Sequence, residues 1–149
     1  WRFKAPLSPD IAANIEKKEI NFKELIHFCN AYIKSKDDDI LIIEGVGGTM
    51  VPINNKYTIL QLMKSLNIPI ILTIGTYLGT ISHTLNAYEV LIKNDINVNS
   101  IVLNQSNENE VDMELTQNSL LNYIKNIPIH TIKRNHENNN VLDNIIKNL

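Results

Sequence analysis

The chain has 149 residues, enough for one domain with a real core, and no internal repeat or linker divides it. Hydrophobic residues make up 44% and charged ones 20%, and a formal net charge of -2 leaves no footprint for nucleic acid or a membrane surface. Cys29 is the sole cysteine, which excludes an intrachain disulfide and a cysteine-rich metal site; no apolar run nears the roughly 18 residues of a membrane span, no signal peptide is recognisable, and a cytoplasmic setting is the expectation.

The chain opens Trp1-Arg2-Phe3-Lys4-Ala5-Pro6 without a methionine, as a segment from inside a longer protein would. Asn21 can cap a first helix, with Glu24 placed three residues on to complete a capping box. Leu25, Ile26, Cys29, Tyr32 and Ile33 then repeat at helical spacing, which makes Cys29 a small buried hydrophobe. The charged run Lys34 to Asp39 closes that helix as a solvated loop. Ile40 to Ile43, four apolar residues in a row, predict a strand buried on both faces. Thr58 caps a second helix carrying Ile59, Leu60, Leu62, Met63 and Leu66. Ile68 to Ile74 is a second strand, Gly79 to Leu91 a third helix and Ser100 to Leu103 a short strand. Val111 to Ile124 predicts a fourth helix, Ile127 to Ile132 a last strand and Val141 to Leu149 a terminal helix, with Asn135 to Asn140 as a surface loop. Strands separated by helices imply βαβ units and a parallel sheet in one α/β domain over residues 1–149.

Three strand ends carry candidate chemistry. Asp39-Ile-Leu-Ile-Ile-Glu44-Gly45-Val46-Gly47-Gly48 runs an apolar strand into a carboxylate and then a glycine turn. In α/β sheets ligands bind outside the carboxyl ends of the strands, where Glu44 would sit. A carboxylate there can hold Mg²⁺ with its waters and a bound phosphate, and the glycines would let the backbone approach that phosphate. A strand that simply ends in an acidic turn fits the same residues. At Ile74-Gly75-Thr76-Tyr77-Leu78-Gly79-Thr80-Ile81-Ser82-His83 a strand feeds a loop that opens a helix. The N–H groups of a helix start suit a carboxylate, and Thr80 and Ser82 add hydroxyls. An ordinary connection capped by Thr80, with His83 packed against its helix, is the plainer reading. At Val102-Leu103-Asn104-Gln105 a strand ends in two amides, which match a purine edge and equally serve as turn formers. No His or Cys pair lies at zinc-ligand spacing.

Together these segments resemble dethiobiotin synthetase. The resemblance rests on Ser8-Pro9 with Ala12-Ala13, on Ile43-Glu44-Gly45-Val46-Gly47-Gly48 with Val51-Pro52, and on Pro69-Ile70-Ile71-Leu72. It continues through Leu78-Gly79-Thr80-Ile81-Ser82-His83-Thr84-Leu85 to Val102-Leu103-Asn104, in the family's order and spacing. It implies a three-layer fold like that of P-loop NTPases, with a mostly parallel sheet flanked by helices. It also implies an enzyme of biotin biosynthesis, a ligase that closes the ureido ring of dethiobiotin from 7,8-diaminopelargonate, CO2 and ATP with Mg²⁺. By matching position Glu44 would be the metal ligand, and Glu44, Gly45, Val46 and Gly47 would line the phosphate and carbamate region. Asn104 and Gln105 would hold the adenine, with the backbone from Ile132 through Lys133 and Arg134 closing over it. Gly47 and the loop Leu78, Gly79, Thr80, Ile81 and Ser82 would contact the substrate, the loop taking its carboxylate near a dimer partner, since family members are homodimers.

The chain also departs from the family pattern. The Gly-rich phosphate loop ending in Lys-Thr is nowhere in these residues, and the catalytic lysine and a second metal-binding aspartate are expected upstream. The first strand of the sheet would be absent with them, so these residues alone are expected to be inactive. Tyr77 stands where some relatives have lysine, Lys133-Arg134 lacks a proline often found there, and Gln105 replaces the acid that commonly follows the Asn. Two other readings compete: a related amidotransferase synthetase of the cobyrinate type, and a non-enzymatic nucleotide-binding module kept for dimerisation.

Overall fold

The computed structural model describes residues 1–35, 40–107, 111–135 and 139–147. They fall into two compact units, Trp1–Asn67 and Ile68–Leu149.

The first unit is helical. Helix α1 spans Pro9–Ile15, α2 Phe22–Ser35 and α3 Ile59–Leu66. The sequence reading passed over α1, although Ser8 before Pro9 is a start signal: proline has the helical φ built in, and its missing N–H is not needed in the first turn. Asn21 starts α2 as expected, its Oδ1 accepting from the N–H groups of Lys23 and Glu24 at 3.1 and 3.3 Å. Glu24 closes the box through the side chain, accepting from Asn21 Nδ2 at 3.0 Å. At α3 the Thr58 N–H donates to Gln61 Oε1 at 2.7 Å. The core is Ala13, Ile20, Phe22, Ile53, Ile59 and Leu62, with Phe22 stacked on Tyr57 at a centroid distance of 4.0 Å. Cys29 is buried as expected. Of the charged run, Lys34 and Ser35 are helical, and residues 36–39 lie outside the described set.

The expected strand at Ile40 to Ile43 does not form. These residues run without a ladder partner, and Ile42 is 82% exposed. A strand exists only where another backbone completes its hydrogen bonds, and among the described residues of this unit the single β interaction is an isolated bridge between Pro52 and Thr58.

The second unit is the α/β part. Strand β1 (Ile70–Gly75), helix α4 (Thr80–Lys93), strand β2 (Val98–Asn104), helix α5 (Met113–Leu121), strand β3 (Ile129–Ile132) and helix α6 (Asn139–Lys147) follow in order. The sheet has the order β1-β2-β3 and both pairings are parallel, so each crossover is a helix, as parallel neighbours require. The expected parallel sheet flanked by helices is present. Its core joins Ile101, Leu103, Leu120, Ile124 and Ile129, with Leu72, Ile74, Ile81, Leu85 and Tyr88 packed around them. Asp112 caps α5, its Oδ1 accepting from the Leu115 N–H at 2.9 Å. Asn139 and Asn140 begin α6 instead of extending the expected asparagine loop, of which residues 136–138 lie outside the described set, as do 148 and 149 at the end of the expected terminal helix.

Candidate functional site

The three strands of the second unit end on one row. Gly75 is in register with Asn104, and Asn104 with Ile132. That row is the carboxyl edge of the sheet, where α/β folds hold ligands. Asn104 is exposed at its centre. Beyond the row, the Gln105 N–H donates to the Ile132 carbonyl at 2.9 Å, and Gln105 Oε1 accepts from the Arg134 N–H at 3.1 Å. A backbone N–H can only donate, so the oxygen of the Gln105 amide faces Arg134 and its NH2 is turned elsewhere. The structure therefore brings Asn104, Gln105, Lys133 and Arg134 to one corner of the sheet.

The loop after β1 is tied to the same edge. Thr80 is not the cap that the sequence suggested. Gly79, at φ +94°, holds that position, while Thr80 is the first residue of α4 and donates from Oγ1 to the Gly75 carbonyl at 2.6 Å. Thr80 is buried, whereas Leu78, Gly79 and Ser82 are exposed. At the start of α4 the Thr80 N–H donates to the Tyr77 carbonyl and the His83 N–H to the Gly79 carbonyl, both at 3.1 Å, which leaves the N–H groups of Ile81 and Ser82 without an acceptor inside the helix, the usual condition for anion binding. His83, expected to pack against its helix, is exposed and shares a 3.0 Å hydrogen bond with the Tyr77 hydroxyl.

Two residues the sequence reading did not single out lie between these loops. The Thr76 N–H donates to Ser106 Oγ, and the Ser106 N–H donates to Thr76 Oγ1, both at 3.0 Å. Thr76 is fully buried. At Gly75 a Cβ would stand 2.7 Å from Ser106 Oγ, so glycine is what lets the two loops approach. A hydroxyl just past each strand end was the only signal available, and it is a common turn feature.

The Glu44 turn belongs to the first unit. Glu44 is exposed, and among the described residues nothing pairs with its carboxylate. Gly47 turns the chain at φ +68°, where an added Cβ would also meet Val51 Cγ2 at 2.9 Å. The turn is anchored at its far end by the Val51 N–H to the Gly48 carbonyl at 3.1 Å and by the Ile59 N–H to the Val51 carbonyl at 3.0 Å. A free, solvated carboxylate on a glycine turn fits Mg²⁺, which keeps most of its waters and takes one or two carboxylates. A site built from three or more His, Cys, Asp or Glu side chains is absent among the described residues. Burial pushes the Cys29 thiol up, away from the thiolate that a nucleophile needs. No helix among the described residues is long and apolar enough to cross a membrane.

Comparison with known proteins gives these features a family. Residues 1–137 match the family described as AAA domain. The chain is 41% identical over 128 residues to the ATP-dependent dethiobiotin synthetase BioD of Acidiphilium cryptum, covering 86% of this chain and 57% of that protein. To the protein of the same name from Phenylobacterium zucineum it is 38% identical over 135 residues, 90% of this chain and 58% of the relative. To that of Caulobacter vibrioides strain NA1000 it is 40% identical over 105 residues, 70% and 48%. The chain thus spans about half the length of the curated relatives it matches. On these matches the chain belongs to the dethiobiotin synthetase family, within the group of AAA domain proteins.

Proposed function

We propose that these residues form part of an ATP-dependent dethiobiotin synthetase, a ligase of biotin biosynthesis that works on 7,8-diaminopelargonate, CO2 and ATP. The observation that carries the reading is the common row on which β1, β2 and β3 end, with amides, hydroxyls and a helix start just beyond it. The similarity to proteins named ATP-dependent dethiobiotin synthetase supports it.

In this reading one substrate amine adds CO2 and loses a proton to become a carbamate. A carbamate oxygen attacks the γ-phosphate and ADP leaves. The second amine then attacks the carbonyl carbon of the mixed anhydride, phosphate leaves, and the ureido ring is closed. The protein's task is to position the reactants and neutralise charge, since phosphoryl transfer offers it little covalent work. Asn104 and Gln105 hold the base, with Lys133 and Arg134 closing its edge. The start of α4, from Leu78 to Ser82, takes the substrate carboxylate. Glu44 would hold Mg²⁺, with Gly45, Val46 and Gly47 presenting backbone to phosphate and carbamate and Gly47 also touching the substrate. When bound, the ion supplies charge neutralisation on the phosphate oxygens. A soluble homodimer in the cytoplasm is part of the same proposal.

In the whole protein, phosphate release should need both ATP and 7,8-diaminopelargonate, and Glu44→Ala should slow it at least about tenfold. Release indifferent to the diamine would remove the reading. A Glu44→Ala rate equal to wild type would remove the metal assignment alone.

A further inference from the structure

The strand-end row of the second unit is stitched together by side chains beyond the point where the sheet stops. After Gly75 and Asn104 the β1–β2 ladder is replaced by the two reciprocal bonds between Thr76 and Ser106, each a backbone N–H donating to the other residue's hydroxyl. After Ile132 the β2–β3 ladder is extended through Gln105, which donates from its N–H to Ile132 and accepts at Oε1 from Arg134. On the opposite flank Thr80 Oγ1 donates to Gly75 at 2.6 Å, and Thr84 Oγ1 to the Thr80 carbonyl at 2.7 Å. An unbroken path therefore runs Arg134, Gln105, Ser106, Thr76, Gly75, Thr80, from the amide corner to the first turn of α4.

We propose that Thr76 and Ser106 are positioning residues for the reaction, holding the amide corner Asn104–Gln105 and the α4 start Leu78–Ser82 in one fixed relation. The inference rests on the functional reading above, which gives those two places the base and the substrate carboxylate. Neither hydroxyl touches substrate; each acts through the loop it holds. Two loops 30 residues apart in sequence are joined across the gap by this pair of bonds, and removing either hydroxyl breaks one of the two and loosens the hold of each loop on the other. In Ser106→Ala the N–H of the fully buried Thr76 would also lose its acceptor, which adds to the effect. Glycine at position 75 belongs to the same device, since any side chain there would push Ser106 away.

The test uses the whole protein with Ser106→Ala, Thr76→Val and Thr76→Ser. In steady-state phosphate release, Ser106→Ala and Thr76→Val should each raise KM for ATP and KM for the diamine together, by about five- to tenfold, with a smaller change in kcat. Thr76→Ser, which keeps the hydroxyl, should restore both. A rise in only one KM, or values unchanged in Ser106→Ala, would overturn the proposal. A second readout needs no ligand. Amide exchange in Ser106→Ala should quicken at Thr76 and also at Thr80 and His83, whose N–H groups donate to the Tyr77 and Gly79 carbonyls, whereas exchange quickened at Thr76 alone would show that the clasp transmits nothing and would end the proposal. Wild-type protein that ignores both substrates would remove the functional reading, and the exchange pattern would then decide whether the two loops are held as one.

Discussion

The runs Ile40–Ile43 and Ile70–Ile74 are near equivalents as sequences. Both are apolar and rich in isoleucine, and both lead into a turn containing glycine. In the second unit the run becomes a strand bonded along its length to β2. In the first no described residue pairs with it, and Ile40, Leu41 and Ile42 are exposed. Intrinsic preference is the same in the two places, so the difference comes from the partner. A β-strand satisfies its N–H and C=O groups on a neighbour, and among the described residues only one of these runs has a neighbour within its own unit. The candidate chemistry divides along the same line. The strand-end row depends on a register that the ladder imposes, whereas the Glu44 turn depends on Gly47 and on local bonds to Val51.

The sharpest way to test that contrast is truncation on each side of it. Leu103→Ala, at a fully buried position of β2, should cost about 2–5 kcal/mol of unfolding free energy, and Ile42→Ala, at an exposed one, no more than about 0.5 kcal/mol. Denaturant titration of the two variants gives both numbers, and similar losses would mean that the first run is paired in solution.

The turn itself is tested next. Gly47→Ala should cost roughly 1–2 kcal/mol, because alanine pays for a left-handed backbone and its Cβ meets Val51. Gly48→Ala, where an added Cβ meets nothing within 4 Å, is the control and should lie near zero. Equal effects in thermal unfolding would break the claim that conformation at Gly47 shapes the turn.

The smallest effect lies near the chain start. The hydrogen bond from Lys18, and then that from the Lys4 N–H, hold the Glu16 carboxyl below its ordinary value. A carboxyl depressed in the folded state binds protons less readily there than in the unfolded chain. Its contribution is therefore present above the ordinary carboxylate range and is lost as pH falls through the folded value. Wild type and Glu16→Gln should differ slightly near neutral pH and converge on acidification. Addition of salt should shrink the difference, because Lys18 is half exposed. A gap that widens toward acid would reverse the sign of the assignment.

Much of this molecule was legible from local pattern. Helix α2 follows from Asn21, Glu24 and the spacing of its apolar residues, and β2 and α4 from runs bounded by turn residues, because caps and periodicity act over a few positions. The family was legible too, in the order of the motifs around Glu44, Thr80 and Asn104. Helix α1 carries its own local start signal in Ser8-Pro9. The failure of Ile40–Ile43 to pair and the shift of the α4 cap from Thr80 to Gly79 were not legible. In the latter case the Thr80 hydroxyl is taken by the Gly75 carbonyl, an acceptor at the end of β1.

The sequence by itself determined the alternation of helix and strand in residues 68–147, the helix starts at Asn21 and Thr58, and the identity of the groups available for chemistry. Those follow from side-chain type and short-range spacing. Only the tertiary structure decided that Gly75, Asn104 and Ile132 stand on one row, and that the hydroxyls of Thr76 and Ser106 bond across the gap between their loops. Register between parallel strands is set by packing through intervening helices, and no local pattern in either strand encodes which residue of the other it will face.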